Sequence, residues 1–205
     1  LPYIDVGARK SEIDTLVKKN IDAAKEDLDS FENSMQFSSH PLVRFIETDG
    51  KIATAYNLWN MHAACAFNEM KQAENRLNEL YAEVYGLSDE ISTKVPARDI
   101  SIRKGDLHRD IKSLISYAVG CMFGHYSLDV DGLAYAGGEW NASKYTSFAA
   151  DKDNIITICD DEYFENDIVG LFVEFVKTVY GAGTLDENLK FIADAWGGVK
   201  VSRRM

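Results

Sequence analysis

Apolar residues recur every three or four positions along most of this chain, with breaks at Pro, Gly and polar clusters, so the pattern predicts a succession of helices. Ile13, Leu16, Val17, Ile21, Ala24, Leu28 and Phe31 make one apolar stripe on a helix of about six turns. Ser11-Glu-Ile-Asp14 reads as the capping box that opens it, its third-position acid shortened to Asp. Ser38-Ser-His-Pro41 ends the pattern.

From Lys51 to Tyr85 there is neither Pro nor Gly, and Tyr56, Trp59, Ala63, Phe67, Met70, Leu77, Leu80 and Val84 keep helical spacing. A helix of about 50 Å is expected, with Gly86 at the position just past its end. Its charged middle fits half of an antiparallel hairpin, or equally a long helix lying along one side of the molecule. Residues 87 to 104 read as a linker with one β-prone piece, Ile100-Ser-Ile102.

A further helix is expected from about Asp106 to Met122, on Leu107, Ile111, Leu114, Ile115, Ala118 and Met122. An ordered, irregular loop follows over 124–154. Asp160-Asp161 is placed to cap a helix from near Tyr163 to Gly181, and Thr184-Leu-Asp-Glu187 is a full capping box for a last helix ended by Gly197-Gly198. The expected fold class is mainly α: a helical bundle with a long antiparallel-type helix and an irregular loop region with minor β. The expected division is an N-terminal long-helix part, 1–97, and a C-terminal helical part with the ordered loop, 98–205, together one structural unit.

Length and composition narrow the function classes. The 205 residues, 46% hydrophobic, suffice for a real core. No run of eighteen apolar residues predicts a membrane span. The opening Leu1-Pro-Tyr-Ile-Asp5 lacks a signal-peptide pattern and an initiator Met, as expected of a fragment. Cys65, Cys121 and Cys159 lack CxxC spacing, which fits reduced thiols in a cytoplasm rather than zinc. The net charge of −11 argues against a large phosphate-binding surface. Basic residues do gather at Arg98, Arg103, Lys104, His108, Arg109 and Lys112, a candidate nucleic-acid contact strip whose alternative is a solvated face offsetting nearby acids.

Catalytic patterns are missing from the sequence. Pro2, Pro41 and Pro96 are the only prolines, so no Asn-Pro-Pro-Tyr loop exists to hold a flipped adenine. Gly137-Gly138 follows too short a stretch for a nucleotide cradle. Ser127-Leu-Asp-Val-Asp-Gly132 places Gly138 where a calcium loop needs its twelfth ligand, so a turn is expected. Asp160, Asp161, Glu162 and Glu165 read as a helix's first turn rather than a nuclease centre. His40, His62, His108 and His125 have no metal spacing. No catalytic, cofactor-binding or metal residue is therefore assigned.

Ile115-Ser-Tyr-Ala-Val-Gly-Cys-Met-Phe-Gly-His-Tyr-Ser-Leu-Asp129 carries the strongest signal. It resembles the "ISYAVGCMFGRYSLD" segment of PglX-type adenine-specific DNA methyltransferases of bacteriophage-exclusion systems. The likeness continues through Gly132-Leu-Ala-Tyr-Ala-Gly-Gly-Glu-Trp140, Asp151-Lys-Asp-Asn-Ile-Ile156, Asp161-Glu-Tyr-Phe-Glu-Asn-Asp-Ile-Val169, Phe172-Val-Glu-Phe-Val-Lys177 and Glu187-Asn-Leu-Lys-Phe-Ile-Ala193. Upstream, Asp29-Ser-Phe-Glu32 with His40-Pro-Leu42, and Leu77-Asn-Glu-Leu-Tyr81 with Val84-Tyr-Gly-Leu-Ser-Asp-Glu90, resemble further family stretches. Met35-Gln36 stands where the family has a Trp, and His125 where it has an Arg. The resemblance spans about residues 15 to 196.

This resemblance implies a position inside a larger enzyme that transfers a methyl group from S-adenosylmethionine to adenine N6 at host sites. None of the family's catalytic or cofactor residues falls here. The segment is expected to be a helical connector fixing the spacing of catalytic and target-recognition parts, in the cytoplasm. Its expected partners are the rest of the polypeptide, other defence proteins, and DNA through the parent enzyme. The alternative is an acidic protein-interaction module with no direct DNA role.

Overall fold

The computed structural model describes residues 4–158 and 167–196. They form α1 (Lys10–Asp29), α2 (Pro41–Arg44), α3 (Ile52–Tyr85), α4 (Leu107–Met122), α5 (Ile168–Tyr180) and α6 (Leu185–Ala195). The fold is mainly α. The expected minor β is absent from the described residues apart from one isolated bridge, Thr157 with Asp167. Ile100-Ser-Ile102 pairs with no strand; both isoleucines are buried beside Phe67 and Met70, so their alternation serves packing on a helix. No single described helix is long and apolar enough to cross a membrane.

Two compact units emerge, each drawn from two stretches: 1–28 with 61–105, and 29–60 with 106–205. The 34-residue α3 contributes to both. It ends as its sequence predicts. Gly86 takes φ +68°, its N–H donates to Glu83 O at 3.2 Å, and Leu87 N–H reaches back to Ala82 O at 2.8 Å. Those two bonds satisfy carbonyls the helix end would otherwise leave open.

In the first unit α1 runs antiparallel to the later part of α3. Ion pairs Arg9–Glu83 (3.0 Å), Glu12–Arg76 (2.7 Å) and Lys19–Glu69 (2.9 Å), and the hydrogen bond between Glu26 and His62 (2.8 Å), climb one helix while descending the other. Such exposed pairs are screened by water, so they set register more than stability. The apolar contribution comes from Phe67, Met70, Ile100 and Ile102, with Ala23, Ala24, Ala66 and Val95 against them. The expected capping box at Ser11 does not form. A 3-10 turn at Gly7–Arg9 leads into α1, which places Ser11 inside the helix, its carbonyl accepting from Thr15 Oγ1 at 2.8 Å.

In the second unit α4, α5 and α6 pack together. Ile111, Leu114, Tyr117 and Ala118 of α4, Phe175 and Val176 of α5, and Leu42, Ile52, Ala55 and Trp59 are all buried, with Tyr117 meeting Phe175 edge-on. Asp106 caps α4 by accepting from Arg109 N–H at 2.8 Å, and Asp167 caps α5 by accepting from Gly170 N–H at 2.6 Å. The expected cap at Asp160-Asp161 lies outside the described residues.

Thr184-Leu-Asp-Glu187 does not close as a capping box either. Thr184 makes no side-chain bond to the helix N-terminus; its hydroxyl donates to Gly50 O at 2.8 Å, and Glu187 pairs with Lys51 at 2.9 Å. Tertiary partners more than 130 residues away take both groups that the local motif would use. Asn188 completes this junction: its Oδ1 accepts from Ile52 N–H at 2.9 Å and its Nδ2 donates to Gly50 O at 2.8 Å.

Candidate functional site

The segment 115–129 is built around two glycines. Gly124 takes φ +73°, and the bonds Gly124 N–H to Cys121 O (3.0 Å) and His125 N–H to Gly120 O (2.8 Å) close the end of α4 as Gly86 and Leu87 close α3. The chain reverses there, and Tyr126 lies back over Gly120. A Cβ at Gly120 would stand 2.5 Å from Tyr126 Cδ2. The Tyr126 ring is stacked on Tyr117 (centroids 5.2 Å apart) and meets Phe37 edge-on at 5.3 Å.

Gly124 is covered from another side. A Cβ there would approach Trp140 to 2.8 Å and Ala150 to 3.2 Å. Trp140 is stacked on Tyr145 at 4.5 Å with an interplanar angle of 4°, and Tyr145 donates its hydroxyl hydrogen to Gly124 O at 2.6 Å. The loop is then tied down by Asp129, whose carboxylate accepts from Thr146 N–H (2.6 Å), Ser147 N–H (2.9 Å) and the Ser147 hydroxyl. The bonds from Ser147 hold this carboxyl below its usual range. Asp129 thus acts as a loop clamp.

Beside this turn lies a cavity of about 490 Å³ lined by Met122, Ala150, Asp151, Asp153, Ile155 and Leu171. Asp151 spends one oxygen on the backbone N–H groups of Asp153 and Ile155, at 3.1 and 3.3 Å. Among the described residues no three His, Cys, Asp or Glu side chains are placed to hold a metal. Gly137 and Gly138 both take positive φ in an exposed loop followed by a three-residue 3-10 turn, Ala142–Lys144, which gives a cofactor phosphate or carboxylate no long helix N-terminus. Among the described residues, this loop does not fit a S-adenosylmethionine cradle. Asp160, Asp161, Glu162 and Glu165 lie outside the described residues.

The basic candidates divide between the two units, Arg98, Arg103 and Lys104 in the first and His108, Arg109 and Lys112 in the second. Each has a local partner. Arg98 is exposed, 3.6 Å from Asp99; Arg103 bonds Asp27 at 3.0 Å; Lys104 sits 4.3 Å from the Phe67 ring centroid. His108 Nδ1 lies 3.1 Å from Ala195 O, Arg109 bonds Asp110 at 2.8 Å, and Lys112 lies 5.6 Å from the Trp196 ring centroid.

Periodicity does not expose three buried polar groups. Asp110 accepts from Trp59 Nε1 (3.2 Å), Asp106 N–H (3.0 Å) and Arg109. His40 accepts from Leu42 N–H through Nδ1 at 3.2 Å, capping α2. Burial, with Arg44 nearby, pushes its pKa down to about 3. Asn188 is the third. Polar residues on apolar helix faces are the signal that could have found Asp110 and Asn188.

No protein-family model matches the chain. It is 44% identical over 187 residues to the adenine-specific methyltransferase PglX of Lacticaseibacillus casei (strain Zhang), covering 89% of this chain and 16% of that protein. It is 33% identical over 211 residues to the adenine-specific methyltransferase BrxX of Escherichia coli O9:H4 (strain HS), covering 91% of this chain and 17% of that protein. The chain is a PglX-type methyltransferase segment. It spans about one sixth of the length of the relatives it matches. In this PglX-type segment the word shared with the family has a packing explanation. Gly120 and Gly124 leave room for Tyr126 and Trp140, and Gly124 also supplies the positive φ of the turn that ends α4.

Proposed function

We propose that this segment is a helical connector within a S-adenosylmethionine-dependent adenine-N6 DNA methyltransferase of a phage-defence system, working in the cytoplasm and setting the spacing of catalytic and target-recognition parts. The observation that carries this reading is α3: one unbroken helix supplies residues to both compact units. The match to PglX and BrxX over one sixth of their lengths supports a place inside a longer polypeptide. Cofactor and adenine would then be held elsewhere in that polypeptide, and DNA or other defence proteins would be met through it.

The test is an insertion in α3 within the complete reading frame. One alanine between Asn60 and Met61 rotates all that follows on the helix by about 100°, whereas four alanines restore most of the facing. Adenine methylation of host sites is expected to fall at least tenfold with one alanine and to recover with four. Unchanged methylation with one alanine would sink the connector reading.

A second reading, an acidic interaction module with no direct DNA role, is favoured by the net charge of −11 and by the engagement of Arg103 and Arg109 with Asp27 and Asp110. Salt-dependent, sub-micromolar binding of duplex DNA by the isolated chain would count against it and support the basic strip.

A further inference from the structure

Val17, Ile21, Ala24 and Leu28 are spaced four, three and four residues apart on α1. This is the seam spacing of a coiled-coil helix, between whose side chains a second helix sets its own. The polar pairs to α3 lie on a different edge, carrying Glu12, Lys19 and Glu26, and of the seam residues Ala24 packs against the Phe67 and Met70 cluster. Ala24 is partly buried, but Val17 is 38%, Ile21 49% and Leu28 47% exposed. Three large aliphatic side chains in register on one helix are costly to leave in water.

The flank of this seam has a sign. Lys18 and Lys25 directly follow Val17 and Ala24, at positions that pair across a coiled coil with the neighbour's edge. Lys10 and Lys19 are bonded to Asp14 and Glu69, whereas Lys18 and Lys25 make no ion pair among the described residues. Lys18 also lines a shallow groove of about 580 Å³ with Gly7, Lys10, Ser11, Asp14 and Thr15, which leaves room at the N-terminal end of the seam.

We propose that this seam docks an amphipathic helix with an acidic edge, supplied by the part of the methyltransferase polypeptide outside residues 1–205. The source of the helix rests on the reading under Proposed function; its chemistry does not. The matched relatives extend far beyond the segment, which covers only 16% and 17% of them. A second copy is a poorer occupant. Antiparallel self-pairing sets Lys18 against Lys25. Parallel self-pairing offers Asn20 and Asp27, and Asp27 is already held by Arg103.

The chemistry is tested on the chain itself by fluorescence anisotropy with two labelled 21-residue heptad peptides. Both carry Leu at the seam positions; one has Glu and the other Lys at the flanks. The Glu peptide is expected to bind at least tenfold more tightly, Ile21→Lys to weaken it at least tenfold, and Lys18→Glu with Lys25→Glu to reverse the preference. Equal affinity, no binding, or binding indifferent to Ile21→Lys would overturn the proposal. The substituted side chains are exposed, and circular dichroism checks that each variant is folded.

Carbodiimide cross-linking of the complete reading-frame product tests the source. Lys18 or Lys25 joined to an Asp or Glu outside 1–205 supports it. Links confined to residues 1–205, or between isotopically distinct copies, overturn it. A reading frame without methyltransferase motifs would instead sink the functional reading, and the peptides would still decide the chemistry of the seam.

Discussion

Gly120 lies under the ring of Tyr126, so close that a methyl group at position 120 would stand 2.5 Å from Cδ2. Tyr117 and Phe37 hold that ring in place, so it cannot swing away cheaply. Gly120→Ala should therefore destabilise the second unit by about 1–3 kcal/mol through overpacking, despite a helix-propensity gain of about 1 kcal/mol. Urea unfolding measures the loss. In a Tyr126→Ser background the same substitution should cost less, and an equal cost there would show that it arises elsewhere.

Asn188 joins α6 to the start of α3 through two backbone groups, the buried N–H of Ile52 and the partly buried carbonyl of Gly50. Asn188→Ala strands the N–H of Ile52, at about 1–3 kcal/mol, while the carbonyl of Gly50 keeps its bond from the Thr184 hydroxyl. Denaturant midpoints compared with a surface control such as Lys190→Ala check this.

His40 is buried and its pKa is lowered from 6.5 to about 3. The unfolded chain binds a proton below pH 6.5 that the folded chain refuses until about pH 3, so protonation favours unfolding in that window. The contribution is fully present above pH 6.5, is lost as pH falls toward 3, and is flat below. His40→Asn keeps an oxygen acceptor for Leu42 N–H but does not titrate. Its stability should fall less steeply than the parent's between pH 6.5 and 3, measured by chemical denaturation at stepped pH.

Cys65 is exposed, whereas Cys121 is buried in α4 and burial pushes its thiol up to about 12. A maleimide should label Cys65 within minutes and leave Cys121 unmodified until the chain is unfolded. Mass spectrometry of the digested protein reads both sites. Comparable labelling rates would contradict the packing of Tyr117 and Cys121.

Asp129→Ala removes the acceptor for two backbone amides and one hydroxyl. Hydrogen exchange should rise at Thr146 and Ser147 while α4 stays protected. Unchanged exchange there would show that the aromatic contacts alone hold the loop.

Much of the helical frame was legible because it depends on local physics. The absence of Pro and Gly over Lys51–Tyr85, the glycine at 86 and the acid at 106 each act on neighbouring backbone, and α3 and α4 lie within a residue of their expected bounds. The two capping boxes failed for the opposite reason. The first lies inside a helix that the Gly7–Arg9 turn has already started, and the side chains of the second have better partners, Gly50 and Lys51, that no local pattern contains. The site was less legible than the fold. The basic residues are adjacent in sequence, but Arg103 and Arg109 are bonded to carboxylates in two different units.

By itself the sequence determined the long helices α1, α3 and α4, the glycine exits of α3 and α4, and, through its long shared words, membership of the PglX-type methyltransferases. Only the tertiary structure decided which stretches form each unit, that Ile100 and Ile102 pack on a helix, and that α1 buries Ile13 but leaves Val17, Ile21 and Leu28 exposed. The physical reason is range. Backbone bonds and turn geometry act within about five residues, whereas burial and ion pairing depend on partners that only the folded chain brings within reach.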